Sequence, residues 1–434
     1  MHWRGPTARL GRTDDGLVVD GVEVSRDGGF DAVLNRVIRA LPASGGSIWI
    51  DAGVYSVSES IVVDRPLWVQ GAGPGNTTDG QNMTILLGTD DLRGPVVTVT
   101  GENSPQGFMH GTRLAGLGLV AGQRGSETDC LRFAPGDGVD LTKISVERLL
   151  VDGARRHGVR FTLPEDDGDI KHVNVQNVWS GHHGGDAISL DGGRRYWLTN
   201  CYGYDSTNGI YVAEDAADVS VIAPHCRQNE AAGLLVRGGP TQVQGGRFID
   251  NDVTGITVDG ADHVTVGQVE LFNNTEVGVS VGDTRVTRGT TLVGNRVGNV
   301  NDGSQVTVSL RDLPSRLREL GPDDAVQKLR QYGVSNVVSG YLTTSGIDKS
   351  QQCGVVVDEG AVGTTVSETT FVGQDGVKIR DEGVRTRING LCHDDGPPDD
   401  GGQWHGEGTH GDWLVDTESD DLYLRVRDGW HGPV

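Results

Sequence analysis

A strand-sized phrase returns along this chain at a nearly fixed interval. Gly209-Ile210-Tyr211-Val212 is followed by Gly233-Leu234-Leu235-Val236, Gly255-Ile256-Thr257-Val258 and Gly278-Val279-Ser280-Val281, in steps of 24, 22 and 23 residues. Ala187-Ile188-Ser189-Leu190 precedes this run by 22 residues, and Gly354-Val355-Val356-Val357 and Gly376-Val377-Lys378-Ile379 repeat 22 apart. A short strand recurring at this period marks a solenoid whose turns rest on one another. Second strands are expected at 219–222, 241–244, 264–266 and 366–371. A βαβ arrangement needs helix-sized crossovers, and these turns have no room for them. A sandwich has no reason to hold a period, and a propeller blade needs about 40 to 45 residues. The pattern therefore predicts an all-β, single-stranded parallel β-helix with coils ~4.8 Å apart. Aliphatic ladders should fill its interior, consistent with 5% aromatic residues.

Residues 30–41 (FDAVLNRVIRAL) break the β pattern. Phe30, Val33, Leu34, Val37, Ile38 and Leu41 fall on one helical face. An open first coil needs a cover, and a short amphipathic helix supplies one. Gly45-Gly46-Ser47-Ile48-Trp49-Ile50-Asp51-Ala52-Gly53-Val54-Tyr55 follows, and then Leu67-Trp68-Val69-Gln70-Gly71-Ala72-Gly73. The stretch 28–73 resembles the N-terminal cap of the pectate-lyase superfamily, with Asp51 where that family usually has Pro. The resemblance implies a right-handed, pectin-lyase-like β-helix, a fold shared by polysaccharide lyases, glycoside hydrolases and virus tailspikes. The expected organisation is an N-terminal segment and capping helix over 1–45, the β-helix over 46–392, and a linker with a small β module over 393–434. A helical excursion at about 312–333, from helices at 313–320 and 323–332 around Gly321-Pro322, interrupts the coils. The C-terminal run Gly411-Asp412-Trp413-Leu414-Val415-Asp416-Thr417 … Asp421-Leu422-Tyr423-Leu424-Arg425-Val426 reads as a hairpin. It is similar to short β modules at the ends of viral fibre and spike proteins. Trp404, Trp413, Tyr423 and Trp430 lie in or beside it. A module of this size cannot bury three Trp alone, so they are the expected surface against another chain, in a homotrimer.

Net charge is −23, and 44 of the 60 acidic residues are Asp while only five of the 37 basic residues are Lys. This usage resembles that of proteins from halophiles, in which salt screens self-repulsion. No basic stripe exists for nucleic acid. No apolar run reads as a signal peptide or membrane span, so neither export by the usual route nor membrane insertion is expected. Five scattered cysteines (130, 201, 226, 353, 392) show no metal or disulfide spacing and read as buried thiols.

Two constellations could carry chemistry. The turn after each repeat strand holds a charged column: Asp191, Glu214, Arg237, Asp259, Asp283, Asp358, then Arg380 or Asp381. It reads as a ladder of exposed ion pairs, each worth about 0 to 1 kcal/mol, or as carboxylates at glycosidase spacing. The second is Gly181-His182-His183-Gly184-Gly185-Asp186, with Asp191, Arg194, Arg195 and Asp205 nearby. The G-H-x-G turn is similar to that of polygalacturonase-type hydrolases, although Asp186 follows the His turn and no R-I-K motif is present. From this group Asp186, Asp191, Asp205, His183 and Arg195 are the candidate catalytic residues, for a hydrolase, or for a lyase in which Arg195 or Arg194 is the base. No cofactor is required. Asp-rich loops at 165–169, 394–395 and 399–400 could hold Ca²⁺ or Mg²⁺. Three functions compete: a virion spike or fibre that binds host glycan or S-layer glycoprotein at the virion surface alongside other virion proteins, a polysaccharide lyase or hydrolase acting on acidic exopolysaccharide, and a passive turret protein.

Overall fold

The computed structural model describes residues 29–75, 82–121, 129–164, 167–282, 284–298, 353–372 and 377–388, with short strands in the flanking and inserted segments. Residues 1–246 and 247–434 form two compact units.

In the first unit the helix Phe30–Ala40 stops where Leu41 turns extended ahead of Pro42. Its buried face is Phe30, Val33, Leu34 and Ile38, while Val37 and Leu41 are only half-buried. Phe30 packs on Tyr55 with ring centroids 4.3 Å apart. Polar residues tie the helix to the strands. Asp31 accepts hydrogen bonds from the Ser58 and Glu59 backbone N–H groups and the Ser58 hydroxyl at 2.6 to 2.7 Å. Burial works against the charged form of Asp31, but these bonds outweigh it and hold the carboxyl below its ordinary range. Asn35 donates to Ser60 O and accepts from Val62 N.

Beyond the helix the repeat becomes a stack of parallel strands. Ile61–Val63, Val97–Val99, Leu131–Phe133, Val159–Phe161, Ile188–Leu190, Asn208–Val212 and Ala232–Val236 pair in that order. One inward ladder runs Val97, Leu131, Val159, Ile188, Ile210 and Leu234; every member is at most 3% exposed. Each such burial is worth roughly 1.5 to 3 kcal/mol. Phe133 and Phe161 stack inside with centroids 4.5 Å apart. A second wall is built from Arg113–Val120, Val139–Asp152, Gly168–Gly181, Gly193–Thr199 with Tyr202–Tyr204, and Ala216–Ile222 with His225–Arg227.

This wall turns corners without losing its pairing. Each coil places single residues in the left-handed region, and the register stacks them in columns. Gly111, Lys143, His172, Arg195 and Asp218 form one; Gly116, Arg148, Asn177, Asn200 and Ala223 a second; Gly153, His182, Asp205 and Gln228 a third. Gly, Asn, Asp and His tolerate this conformation best. Asn200 Nδ2 also donates to Asn177 Oδ1 at 2.6 Å, linking two corners.

The second unit repeats the plan. Thr254–Val258, Val277–Val281, Cys353–Val357 and Val377–Asp381 pair in parallel. Ile256, Val279 and Val355 form an inward ladder of this unit, beside Val258, Val281 and Val357. Buried Asn251 and Asn274 bond to each other at 2.8 Å and brace adjacent turns. Because Val277–Val281 pairs directly with Cys353–Val357, the excursion leaves and returns between neighbouring coils. It contains an antiparallel sheet of Gln305–Ser309, Val334–Val338 and Tyr341–Ser345. The helices expected at 313–320 and 323–332 lie outside the described residues. Trp413–Asp416, Leu422–Val426 and Gly429–His431 pair antiparallel, and Leu391–Asp394 pairs with the first of them. Cys130, Cys201, Cys226 and Cys353 are buried free thiols, and burial pushes Cys201 up to about 12.

Candidate functional site

On a strand, alternate residues point outward, so register alone assembles outward columns on the second wall. One column reads Trp68, Arg113, Ser145, Asn174, Trp197, Ser220. Trp68 and Trp197 are each 42% exposed and stand four coil steps apart, ~19 Å at ordinary strand spacing. The adjacent column carries Trp49, Gln70, Ala115, Glu147, Gln176 and Thr199. Side chains here are fixed by their neighbours. Trp68 Nε1 donates to Gly111 O at 2.9 Å. Arg113 donates to Glu147 Oε2 at 2.7 Å, and Ser145 to Glu147 Oε1 at 2.5 Å. Burial opposes the Glu147 charge, but the Ser145 and Arg113 bonds outweigh it and hold the carboxyl below its ordinary range. The His172 ring stacks on Trp197 with centroids 6.4 Å apart. Flat exposed rings beside amides, hydroxyls and a fixed ion pair suit a ligand with apolar faces and polar edges.

A second group lies past the next corner. Trp179, Tyr202 and His225 share one column; Gly181, Tyr204 and Arg227 share the neighbouring one. Trp179 stacks on Tyr202 at 5.1 Å, His225 meets Tyr202 edge-on at 4.6 Å, and the Arg227 guanidinium lies 5.5 Å from the Tyr202 ring centre. Gly181 makes room for Tyr204: a Cβ there would sit 2.5 Å from that ring. At the corner beside it, His182 Nδ1 is 2.7 Å from Asp152 Oδ1, and Nε2 is 3.7 Å from Asp205 Oδ2. Tyr204 packs edge-on against His182, and burial, with Asp152 nearby, pushes its phenol well up. A partly exposed imidazole between two carboxylates can accept and return a proton.

The residues expected from the sequence take several different places. His183 is buried. The Ala154 N–H donates to its Nδ1 at 3.0 Å, so the ring proton sits on Nε2, which faces Ser180 Oγ at 3.0 Å. Burial, the largest influence, pulls its pKa down to about 3. Asp186 is buried in the same turn, accepting from Asn208 Nδ2 at 2.7 Å with His157 Nδ1 at 3.2 Å. Asp191 accepts from Arg160 at 2.6 Å and Ser189 at 2.5 Å. Arg195 is a corner residue whose Nη1 donates to His172 Nε2 at 2.9 Å, and Arg194 pairs with Asp169 at 2.9 Å. Of the five, Asp205 stands with His182. Reasoning from the sequence missed Trp68, Trp197, Trp179 and Tyr202, although tryptophan at an outward strand position was a readable signal. Among the described residues no group of three or more His, Cys, Asp or Glu could hold a metal ion. The loops at 394–395 and 399–400 and the side chains of Trp404, Trp413, Tyr423 and Trp430 lie mostly or wholly outside the described residues. No described helix is long and apolar enough to cross a membrane.

Residues 158–313 match the family described as "Right handed beta helix region". Among solved structures, the A-module of the mannuronan C-5 epimerase AlgE6 of Azotobacter vinelandii is similar. It has 17% identity and a TM-score of 0.57, over 83% of this chain and 94% of that one. The AlgE4 A-module of the same organism follows at 14% identity and 0.54, over 82% and 91%. The Dettilon tailspike protein gp208 matches at 10% and 0.50, over 81% of this chain and 61% of its own. No curated protein matches in sequence. The stacked parallel walls, the matched segment and these neighbours agree: the chain is an all-β, right-handed parallel β-helix.

Proposed function

We propose that this chain is a virion spike or fibre protein that binds an extended host-surface glycan along the outward flank of its first unit. The observation that carries the reading is the column Trp68, Arg113, Ser145, Asn174, Trp197, with two exposed rings spaced several sugar lengths apart. Exposed aromatics arranged in register mark a contact surface. The Dettilon tailspike is built on a similar fold, which supports the spike reading, and so is a mannuronan epimerase module, which supports a glycan as the ligand. The C-terminal Trp residues and the acidic, Lys-poor composition support assembly as a homotrimer on a virion from a salty habitat. Calorimetric titration with host exopolysaccharide tests the binding. Trp68→Ala and Trp197→Ala are each expected to weaken it up to about 10-fold, from the loss of about 0.5 to 1.5 kcal/mol per stacked ring. Unchanged binding in the double variant would sink the reading.

A second reading, that the spike also modifies the glycan, is favoured by His182 between Asp152 and Asp205. Here His182 moves the proton, Asp152 orients it, and the Tyr202 and Tyr204 rings hold the sugar. His182→Gln should abolish new reducing ends or 235 nm absorbance while leaving glycan affinity within about twofold. Product formation at the wild-type rate in that variant would remove His182 from the chemistry.

A further inference from the structure

The first corner column poses a question of its own. Three successive coils place Lys143, His172 and Arg195 there, with φ of 54°, 55° and 63°. The column ends in Asp218, and the other corners mix Gly153, Asn177, Asn200 and Asp205 with Arg148, Ala223, His182 and Gln228. The left-handed conformation costs an ordinary L-residue roughly 1 to 2 kcal/mol. Packing does not offset this at Lys143 and Arg195, which are exposed. Exposed Arg148, Ala223 and Gln228 adopt the same conformation at other corners, so what sets this column apart is the charge it carries.

Charge distinguishes it. The chain has five Lys in 434 residues, and Lys143 and Lys171 both fall in this strip. The carboxylates nearby are already committed one position before the corner: Asp140 and Asp169 to Lys171, and Asp169 also to Arg194. Among the described residues no carboxylate lies within ion-pair distance of Lys143 or Arg195. Exposed His110 extends the strip; burial, then the charges of Lys143 and His172, hold its pKa below the ordinary value. Two residues along each strand from this corner stand Ser145, Asn174 and Trp197, the outward column already described. An otherwise strongly acidic protein thus bears a short cationic ridge from Lys143 to Arg195, bounded by Asp218 on the next coil, along the edge of its aromatic flank.

We propose that this ridge recognises the anionic groups of an acidic polysaccharide, carboxylate or sulfate, with Lys143 and Arg195 meeting substituents on sugars whose rings lie against Trp197 and the polar column. The inference rests on the glycan-binding reading of the flank and names its substrate class. The coil step of ~4.8 Å is close to the length of one pyranose ring, so successive coils can address successive sugars. Long-range repulsion between two acidic polymers is screened in salt, where the Debye length falls to about 3 Å at 1 M, and contact pairs at the ridge are weakened less than that repulsion.

The test uses the full-length protein and three soluble polymers of matched length: a polyuronate, a sulfated glucan and a neutral glucan. The variant is Lys143→Asn with Arg195→Asn. Asn accepts the left-handed corner, so its melting temperature should equal or exceed that of the wild type. The wild type should bind at least one acidic polymer ≥10-fold more tightly than the neutral one, and the arm that binds identifies the anion. The Asn variant should lose that preference while Trp197→Ala weakens every polymer that binds. Undiminished acidic binding by the Asn variant, or wild-type preference for the neutral glucan, overturns the ridge but leaves the flank reading intact. Binding of none of the three by the wild type overturns the flank reading, and the ridge with it.

Discussion

His182 and His183 are neighbours with opposite fates, because the chain turns a corner between the strand and the loop. His182 sits at the corner with φ 58° and part of its ring in solvent, while His183 points inward and its ring is fixed neutral by the Ala154 N–H. An unfolded chain protonates this histidine near pH 6.5; the folded one resists until about 3. Between those values the unfolded state binds the extra proton, so stability from His183 is complete above about 6.5 and drains away as pH falls. The slope is up to about 1.4 kcal/mol per pH unit. His183→Gln, which can still accept from Ala154 and donate to Ser180, should be less stable at neutral pH but show a flatter melting-temperature profile from pH 6.5 to 4. Parallel profiles for the two proteins would show that His183 does not drive the acid sensitivity. Residue chemistry was legible in the sequence only as far as type: Gly-His-His-Gly-Gly-Asp announced a polar turn, but not that His183 and Asp186 face inward. Inside and outside alternate along a strand, and the alternation resets at each left-handed residue, which carries no periodic mark when it is Lys143, Arg148 or Arg195 rather than Gly.

At the level of the element, the repeated phrase was the most legible feature. Ile210 and Val212 point into the ladder, and Tyr211 outward, because the phrase alternates. Ile210 is fully buried between Ile188 and Leu234 on adjacent coils. Ile210→Ala should therefore cost about 2 to 5 kcal/mol by leaving a cavity in a stack that cannot collapse along its axis. Tyr211→Thr, one residue away, should cost less than about 1 kcal/mol. Denaturant titrations followed by near-ultraviolet circular dichroism compare the two, and equal losses would contradict the ladder. The helix Phe30–Ala40 was readable from its 3.6 spacing, yet its anchors, Asp31 and Asn35, were not, since their partners lie 25 to 28 residues on. The 14-residue strands Val139–Asp152 and Gly168–Gly181 escaped notice as well. They bend at Lys143, Arg148, His172 and Asn177 while keeping their pairing, so no Gly or Pro announces the corners.

At the scale of the whole molecule, charge and the C-terminal module make a joint demand. A net charge of −23 opposes bringing copies of the chain together, and at 0.1 M salt the Debye length of about 10 Å lets that repulsion act across an interface. Trp404, Trp413 and Trp430 are the residues proposed to work in the other direction. Three antiparallel strands from Trp413 to His431 offer too small a core to hide such side chains without help. If these residues join three copies, assembly must depend on salt, because screening removes the opposing term while the apolar contact persists. Light scattering coupled to gel filtration should give a trimer in 2 M KCl and a shift toward monomer at 0.1 M. Trp413→Ala with Trp430→Ala should give monomer at both, with the far-ultraviolet spectrum of the β-helix retained. A wild-type monomer in 2 M KCl would refute the trimer and shift weight toward a protein that meets its glycan as a single copy.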